Sequence, residues 1–200
     1  VELEERAWEC LQTRGRYVKV HSVEMVGLFL VCFVREALAP YVREVDADRV
    51  RLNVEGIAGK KGAVALRFSL CGVDFCFINV HLPSGHDHAK ERIAALNQVM
   101  AEAFQRCSIS GSLRPPKHGF KRESRYSPSQ HPCGFLFGDS NFRLDMKPQD
   151  VPKSLGPADF AALLAFDQVR THRLEPVLQV LREPDISFPP TYKYQVGTGL

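Results

Sequence analysis

The chain has no Cys-x-x-Cys pair, a single tryptophan, no long apolar run and only a small excess of one charge. Its six cysteines (Cys10, Cys32, Cys71, Cys76, Cys107 and Cys133) are scattered, so local spacing builds neither a zinc knuckle nor a dithiol redox motif. Cys32 and Cys76 fall inside strand-like apolar runs, where a reduced cysteine behaves as a small hydrophobe. That usage predicts a reducing compartment and no disulfide scaffold. The longest apolar stretch, residues 25–34, is too short to span a bilayer. It also lies inside the chain and lacks the flanks of a signal peptide. The expectation is a cytoplasmic protein, or one peripheral to membranes. A formal net charge of +3 is too small to imply nucleic-acid binding. No internal repeat and no second domain stand out.

What is present suits one domain: 200 residues, 44% hydrophobic and 24% charged, are enough for a substantial core. Leu3, Ala7, Trp8 and Leu11 make an apolar stripe at helical spacing over residues 2–12, with Trp8 as a core anchor. Strands are predicted at 16–20, 25–34, 50–54, 63–70 and 74–81, the second so continuously apolar that both its faces should be buried. In the last of these, Cys76, Ile78 and Val80 alternate against Phe75, Phe77 and Asn79. Residues 88–105 carry Ile93, Leu96, Val99, Met100, Ala103 and Phe104 at helical spacing. Residues 108–132 lose all periodicity and hold Lys117, Lys121, Arg122 and Arg125, which predicts a long, mobile, basic surface insertion. Further helices are expected from 157 or 158 to 165 and within 169–181. Strands interleaved with helices indicate α/β or α+β layers.

Four loops carry chemistry. Phe135-Leu136-Phe137 reads as the end of a buried strand, broken by Gly138 and followed by Asp139, Asn141 and Arg143 at spacings of two. If the backbone stays extended, those three side chains share one face. A carboxylate, an amide and a cation at a sheet mouth suit metal-assisted phosphate-ester hydrolysis; alone, the run also fits an Asp-Ser-Asn turn after a core strand. Gly56 to Gly62 is a basic glycine loop containing Lys60 and Lys61, suited to an anion or to a solvated hairpin turn. It is not a Walker loop, because Gly62 follows Lys61. Asn79 and His81 share a strand face just before Pro83 and Gly85 end the strand, and such a His can donate to a phosphoryl oxygen. His86 and His88 look like a ligand pair, but His-x-His beside Asp87 is common on solvated loops. The fourth loop, Phe188-Pro189-Pro190-Thr191-Tyr192-Lys193-Tyr194, fits an edge strand or a phosphate-binding bend.

Taken in order, these loops resemble the catalytic domain of inositol polyphosphate 5-phosphatases, in the endonuclease/exonuclease/phosphatase superfamily. The landmarks G-N-K-G, F-V-N-S-H-L, F-W-F-G-D-L-N-Y-R, H-D-Q-L and F-x-P-T-Y-K-Y-D stand here as Gly59-Lys60-Lys61-Gly62, Phe77 to Leu82, Phe135 to Arg143, Phe166-Asp167-Gln168-Val169 and Phe188 to Gln195. The resemblance implies a four-layer α/β (α+β) sandwich, two packed mixed β-sheets flanked by helices, across one catalytic domain spanning residues 1–200. It implies Mg²⁺-dependent hydrolysis of the 5-phosphate of a phosphoinositide or soluble inositol polyphosphate, with no nucleic acid as partner. By the same resemblance Asp139 orients and deprotonates water and Asn141 holds the phosphate or that water. His81, with Asn79 behind it, stabilises the transition state or assists the leaving inositol oxygen. Tyr192 and Lys193 match positions that bind the neighbouring 4-phosphate, and Lys61 and Lys60 face the phosphate or lipid-linked side of the ring. Arg143 and Asp167 tie loops beneath the site.

The departures are Lys60 in place of Asn and Gln195 in place of Asp. The family's Gln-Glu, whose Glu ligates Mg²⁺, would fall just before Val1, and its Asp-His pair after Leu200. The expectation is therefore a catalytic domain cut at both ends, its metal ligands unknown, and inactive as a segment. The competing readings are a catalytically inactive phosphoinositide-binding module and a nuclease of the same superfamily.

Overall fold

Val26-Gly27, with Gly27 at φ +75°, turns β1 (Tyr17–Met25) back onto β2 (Leu28–Arg35) as an antiparallel hairpin. A computed structural model describes residues 2–52, 61–105, 126–151 and 156–188 of the chain. Its contacts divide the chain into two compact units: Val1–Pro83 with Ala94–Asn141, and Ser84–Ile93 with Phe142–Leu200.

In the first unit, β1 and β2 form a two-stranded sheet, and a four-stranded sheet runs in the order β3-β4-β5-β6. These are β3 (Val42–Arg51), β4 (Gly62–Leu70), β5 (Val73–His81) and β6 (Cys133–Asp139). Cys71 and Gly72, both at positive φ, close the β4–β5 hairpin. β5 and β6 are parallel, so a crossover is needed, and α2 (Ala89–Glu102) lies on it. The sheets pack face to face. Val20, Val23, Met25, Leu28, Leu30 and Val34 of one join Val42, Val45, Val64, Leu66 and Phe68 of the other in one core.

The remaining faces carry helices. α1 (Glu2–Gln12) covers the two-stranded sheet, with Trp8 tilted on Phe33 at 5.6 Å and Glu4 paired to Lys19 at 2.5 Å. On the outer face of the larger sheet, Phe104, just past α2 at φ +63°, donates its backbone N–H to the buried Asp48 carboxylate at 2.7 Å. Helix, sheet, sheet and helix give the four layers expected. Among the described residues no helix is long and apolar enough to cross a membrane.

Beside Asp48, the buried Arg67 of β4 donates Nε–H to His131 Nε2 at 2.9 Å and lies 3.7 Å from the Tyr126 ring centroid. Burial first, and the Arg67 charge second, hold the His131 imidazole below its ordinary value. A neutral ring fits the bond, since only an unprotonated Nε2 accepts it.

In the second unit, Arg92 is fully buried and its guanidinium donates to the Gly85 carbonyl (2.7 Å) and to Gln168 Oε1 (2.6 Å). Gln168 Nε2 in turn donates to Asp145 Oδ1 and the His86 carbonyl. Asp167 caps α4 (Gln168–Thr171) by accepting from the Val169 and Arg170 N–H groups, which agrees with a structural part for that residue. α3 covers Pro157–Leu164 and α5 Pro176–Gln179.

Several local expectations need correction. One helix within 169–181 becomes two short ones, because Pro176 supplies no N–H to carry a helix through. On one face of β2 Leu28, Leu30 and Val34 are buried and Cys32 is half-buried, and the other face, where α1 lies, is half-buried. Trp8 is 37% exposed, so it anchors α1 without entering the core. β3 runs upstream of the predicted 50–54, because its pairing with β4 starts at Val42; residues 53–60 lie outside the described ones. β6 is not buried: Phe135 is 51% and Phe137 44% exposed, since β6 is the last described strand of its sheet. Of the predicted insertion, 108–125 lies outside the described residues, and Pro128–Gln130 forms a 3₁₀ turn.

Two stability outcomes are expected. Gly138 has φ +111°, and a Cβ there would lie 2.3 Å from Asn79 Oδ1 and 2.4 Å from the Val80 carbonyl oxygen. Gly138→Ala should therefore cost more than about 1 kcal/mol in urea unfolding; an unchanged midpoint would refute the close β5–β6 approach. Unfolded His131 titrates near 6.5 and folded His131 below it. Its contribution is full above pH 6.5 and is lost as pH falls toward the folded value. His21, lowered chiefly by burial, has the same sign. Unfolding midpoints should drop from pH 7.5 to 5.5, and His131→Gln should flatten that slope in part.

Candidate active site

The register of the parallel pair sets the site. His81 at the end of β5 stands opposite Asp139 at the end of β6, and their side chains meet at 3.5 Å, Nε2 to Oδ2. Pairing continues one residue further, with Leu82 N–H donating to the Asp139 carbonyl at 3.0 Å. On the other side of β5, Gly62 of β4 pairs with His81. The preceding residue, Lys61, thereby comes beside the same imidazole, Nζ to Nε2 at 2.6 Å. Lys61 is buried, and an ammonium out of water is held there only by groups that accept its hydrogens.

After Asp139 the chain does not stay extended. Asn141 has φ +56°, a left-handed conformation that Asn tolerates better than most residues. Its backbone N–H donates to Asp139 Oδ1 at 3.2 Å, and its side-chain Nδ2 donates to the Leu82 carbonyl at 3.1 Å. Asn141 therefore reaches the Asp139 carboxylate by turning back on it, not by the alternation that would align 139, 141 and 143. Arg143 falls in the second unit, where its backbone N–H meets Gln168 Oε1 at 3.0 Å.

Asn79 shares a strand face with His81, as expected, but its amide reaches away from the ring: Nδ2 donates to the Phe29 carbonyl of β2 at 3.0 Å. It ties the two sheets next to Gly138. Asp139 is the most open of the group, its side chain 64% exposed against 29% for His81. His86 and His88 are engaged elsewhere. His86 bonds to Asp87 at 3.0 Å and to the Leu144 and Met146 carbonyls, and His88 pairs with Glu91 at 3.2 Å. The Asp87 carboxylate raises the His86 imidazole above its ordinary value.

Asp139, Asn141, His81 and Lys61 are thus brought together, with Asn79 two residues before His81 on β5. Lys60, Tyr192 and Lys193 lie outside the described residues. Sequence reasoning missed the Lys61–His81 contact, whose partners are 20 residues apart, and the Arg92–Gln168 hub. The signal for the hub was the amide in Phe166-Asp167-Gln168-Val169. Among the described residues, no three His, Cys, Asp or Glu side chains cluster closely enough to hold a metal ion. Asp139 by itself does not make a Mg²⁺ site, and no step below is routed through one. Chemically, the described group offers a water-accessible carboxylate, an imidazole, a buried cation and an amide at one sheet end.

A family model described as Endonuclease/Exonuclease/phosphatase family 2 matches residues 2–200. Synaptojanin-2 of Rattus norvegicus is 31% identical over 195 residues, 97% of this chain but 12% of that protein. A crystal structure of the inositol polyphosphate 5-phosphatase domain of SPsynaptojanin, in complex with inositol (1,4)-bisphosphate and calcium ion, superposes with a TM-score of 0.71 at 27% identity. It is covered by 92% of this chain, which spans 48% of its length. Cimex nitrophorin, as a ferrous NO complex, reaches a TM-score of 0.64 at 16% identity over 98% of this chain and 61% of its own. That last likeness shows the fold alone. The ordered motifs, the four layers and the family match agree: the chain belongs to the endonuclease/exonuclease/phosphatase family and, within it, to the inositol polyphosphate 5-phosphatase catalytic domains.

Proposed function

We propose that the protein carrying this chain is a Mg²⁺-dependent phosphoric monoester hydrolase that removes the 5-phosphate from phosphoinositides or soluble inositol polyphosphates. One observation supports this above the others: Lys61, His81, Asp139 and Asn141 converge at one sheet end. Phosphoryl transfer asks a protein chiefly for positioning and for charge that meets the phosphoryl oxygens. Asp139, open to water, orients the attacking molecule and takes its proton. Asn141, held in its turn by the Leu82 carbonyl, places an amide beside that carboxylate. His81 and Lys61 face the side on which negative charge builds. Asn79 acts at one remove, by fixing β5 against β2.

Mg²⁺, when bound, would neutralise phosphate charge. In this reading Lys60, Tyr192 and Lys193 contact the other phosphates of the ring and set isomer preference. The substrate is met in solution or at a membrane surface, with the protein peripheral to it.

The test is Mg²⁺-dependent phosphate release from phosphatidylinositol 4,5-bisphosphate by the full-length protein. Asp139→Ala should lower kcat by about 100-fold or more, and a chelator should stop release in the wild type. If lipid binds but no phosphate appears at any Mg²⁺ concentration, the hydrolase reading fails and a binding module takes its place.

A further inference from the structure

Two neighbours compete for one nitrogen of His81. Asp139 Oδ2 lies 3.5 Å from Nε2, and a carboxylate at that range favours a protonated ring. Lys61 Nζ lies closer, at 2.6 Å from the same nitrogen. An ammonium has three hydrogens and no lone pair, so it can only donate. If it donates to Nε2, that nitrogen carries no proton, and the ring is neutral with its hydrogen on Nδ1. At 2.6 Å the Lys61 bond is a charge-assisted one, whereas 3.5 Å exceeds normal hydrogen-bond length for the Asp139 pair. The closer contact wins.

We propose that Lys61 is a positioning residue that sets the protonation state and tautomer of His81, holding Nε2 as an acceptor against the pull of Asp139. Its consequence for turnover rests on the phosphatase reading: an anionic phosphate that draws the Lys61 ammonium to itself releases Nε2. The ring then takes a proton from solvent water and offers it as a donor to the same phosphate. His81 would thus be a donor only when the anion is present. The ring is met by Lys61, just before β4, and by Asp139 of β6.

The experiment is nitrogen-15 NMR of histidine-labelled full-length protein without substrate, with His81 assigned by its loss in His81→Gln. The wild-type ring should show Nδ1–H and an unprotonated Nε2 at neutral pH. Lys61→Met should turn the ring to Nε2–H facing Asp139 and move its titration midpoint up by about one pH unit, tenfold in proton affinity. Lys61→Arg, which keeps a donor cation, should preserve the wild-type tautomer. Asp139→Asn gives an independent arm: it should leave the tautomer as in the wild type. A ring already Nε2–H in the wild type, or a tautomer and midpoint unmoved by Lys61→Met, would overturn the proposal. So would a tautomer that changes in Asp139→Asn. None of these readouts requires turnover, so absence of phosphatase activity would sink the functional reading and leave this one standing.

Discussion

Everything at the site depends on the parallel pairing of β5 with β6. Side chains alternate along a strand, so a slip of one residue would send His81 or Asp139 to the opposite face. The pairing is held in register by a backbone approach that only glycine at 138 allows, with the Val80 carbonyl in the space of a missing Cβ. It is then extended by Leu82, whose N–H takes the Asp139 carbonyl and whose own carbonyl takes the Asn141 amide. One short stretch of backbone therefore aims three side chains.

Among the described residues, three cations are buried: Lys61, Arg67 and Arg92. A buried charge needs partners that return what water gave, or the burial costs several kcal/mol. Arg67 has an imidazole, a carbonyl and an aromatic face, and Arg92 has carbonyl and amide oxygens. These two use geometry fixed by a planar fork. Lys61 is a point donor against a titratable ring, a setting in which proton position can change. That difference sets the two planar cations apart from Lys61.

Much of this was legible in the sequence, because the informative features are local. Alternation separates Cys76, Ile78 and Val80 from Phe75, Phe77 and Asn79, and the first three are the buried ones; helical spacing found α2 to within three residues at either end. Burial raises the Cys32 and Cys76 thiols to about 11 and about 12, as inert hydrophobes should show. The failures are tertiary. No local pattern says that β6 is the last described strand of its sheet, so apolar Phe135 and Phe137 read as core where exposed rings stand. Nor does it reveal that Asn141 turns left-handed, since Asn is equally at home in an extended strand end. The contact of Lys61 with His81 follows from antiparallel register between β4 and β5, which spacing alone does not contain.

The Arg67 cluster has a further consequence. Gln105, just past α2, reaches the Tyr126 carbonyl, while Tyr126 and His131 pack on Arg67 and Phe104 lies against His131. Both ends of the segment between 105 and 126 are thus pinned by one set of contacts. The entropy of closing a connection between two fixed posts grows only logarithmically with its length, about 0.6 kcal/mol per doubling. Evolution is therefore free to lengthen, shorten or rewrite that segment at almost no thermodynamic penalty to the sandwich. The same two posts are a natural place to graft a foreign peptide or a reporter module.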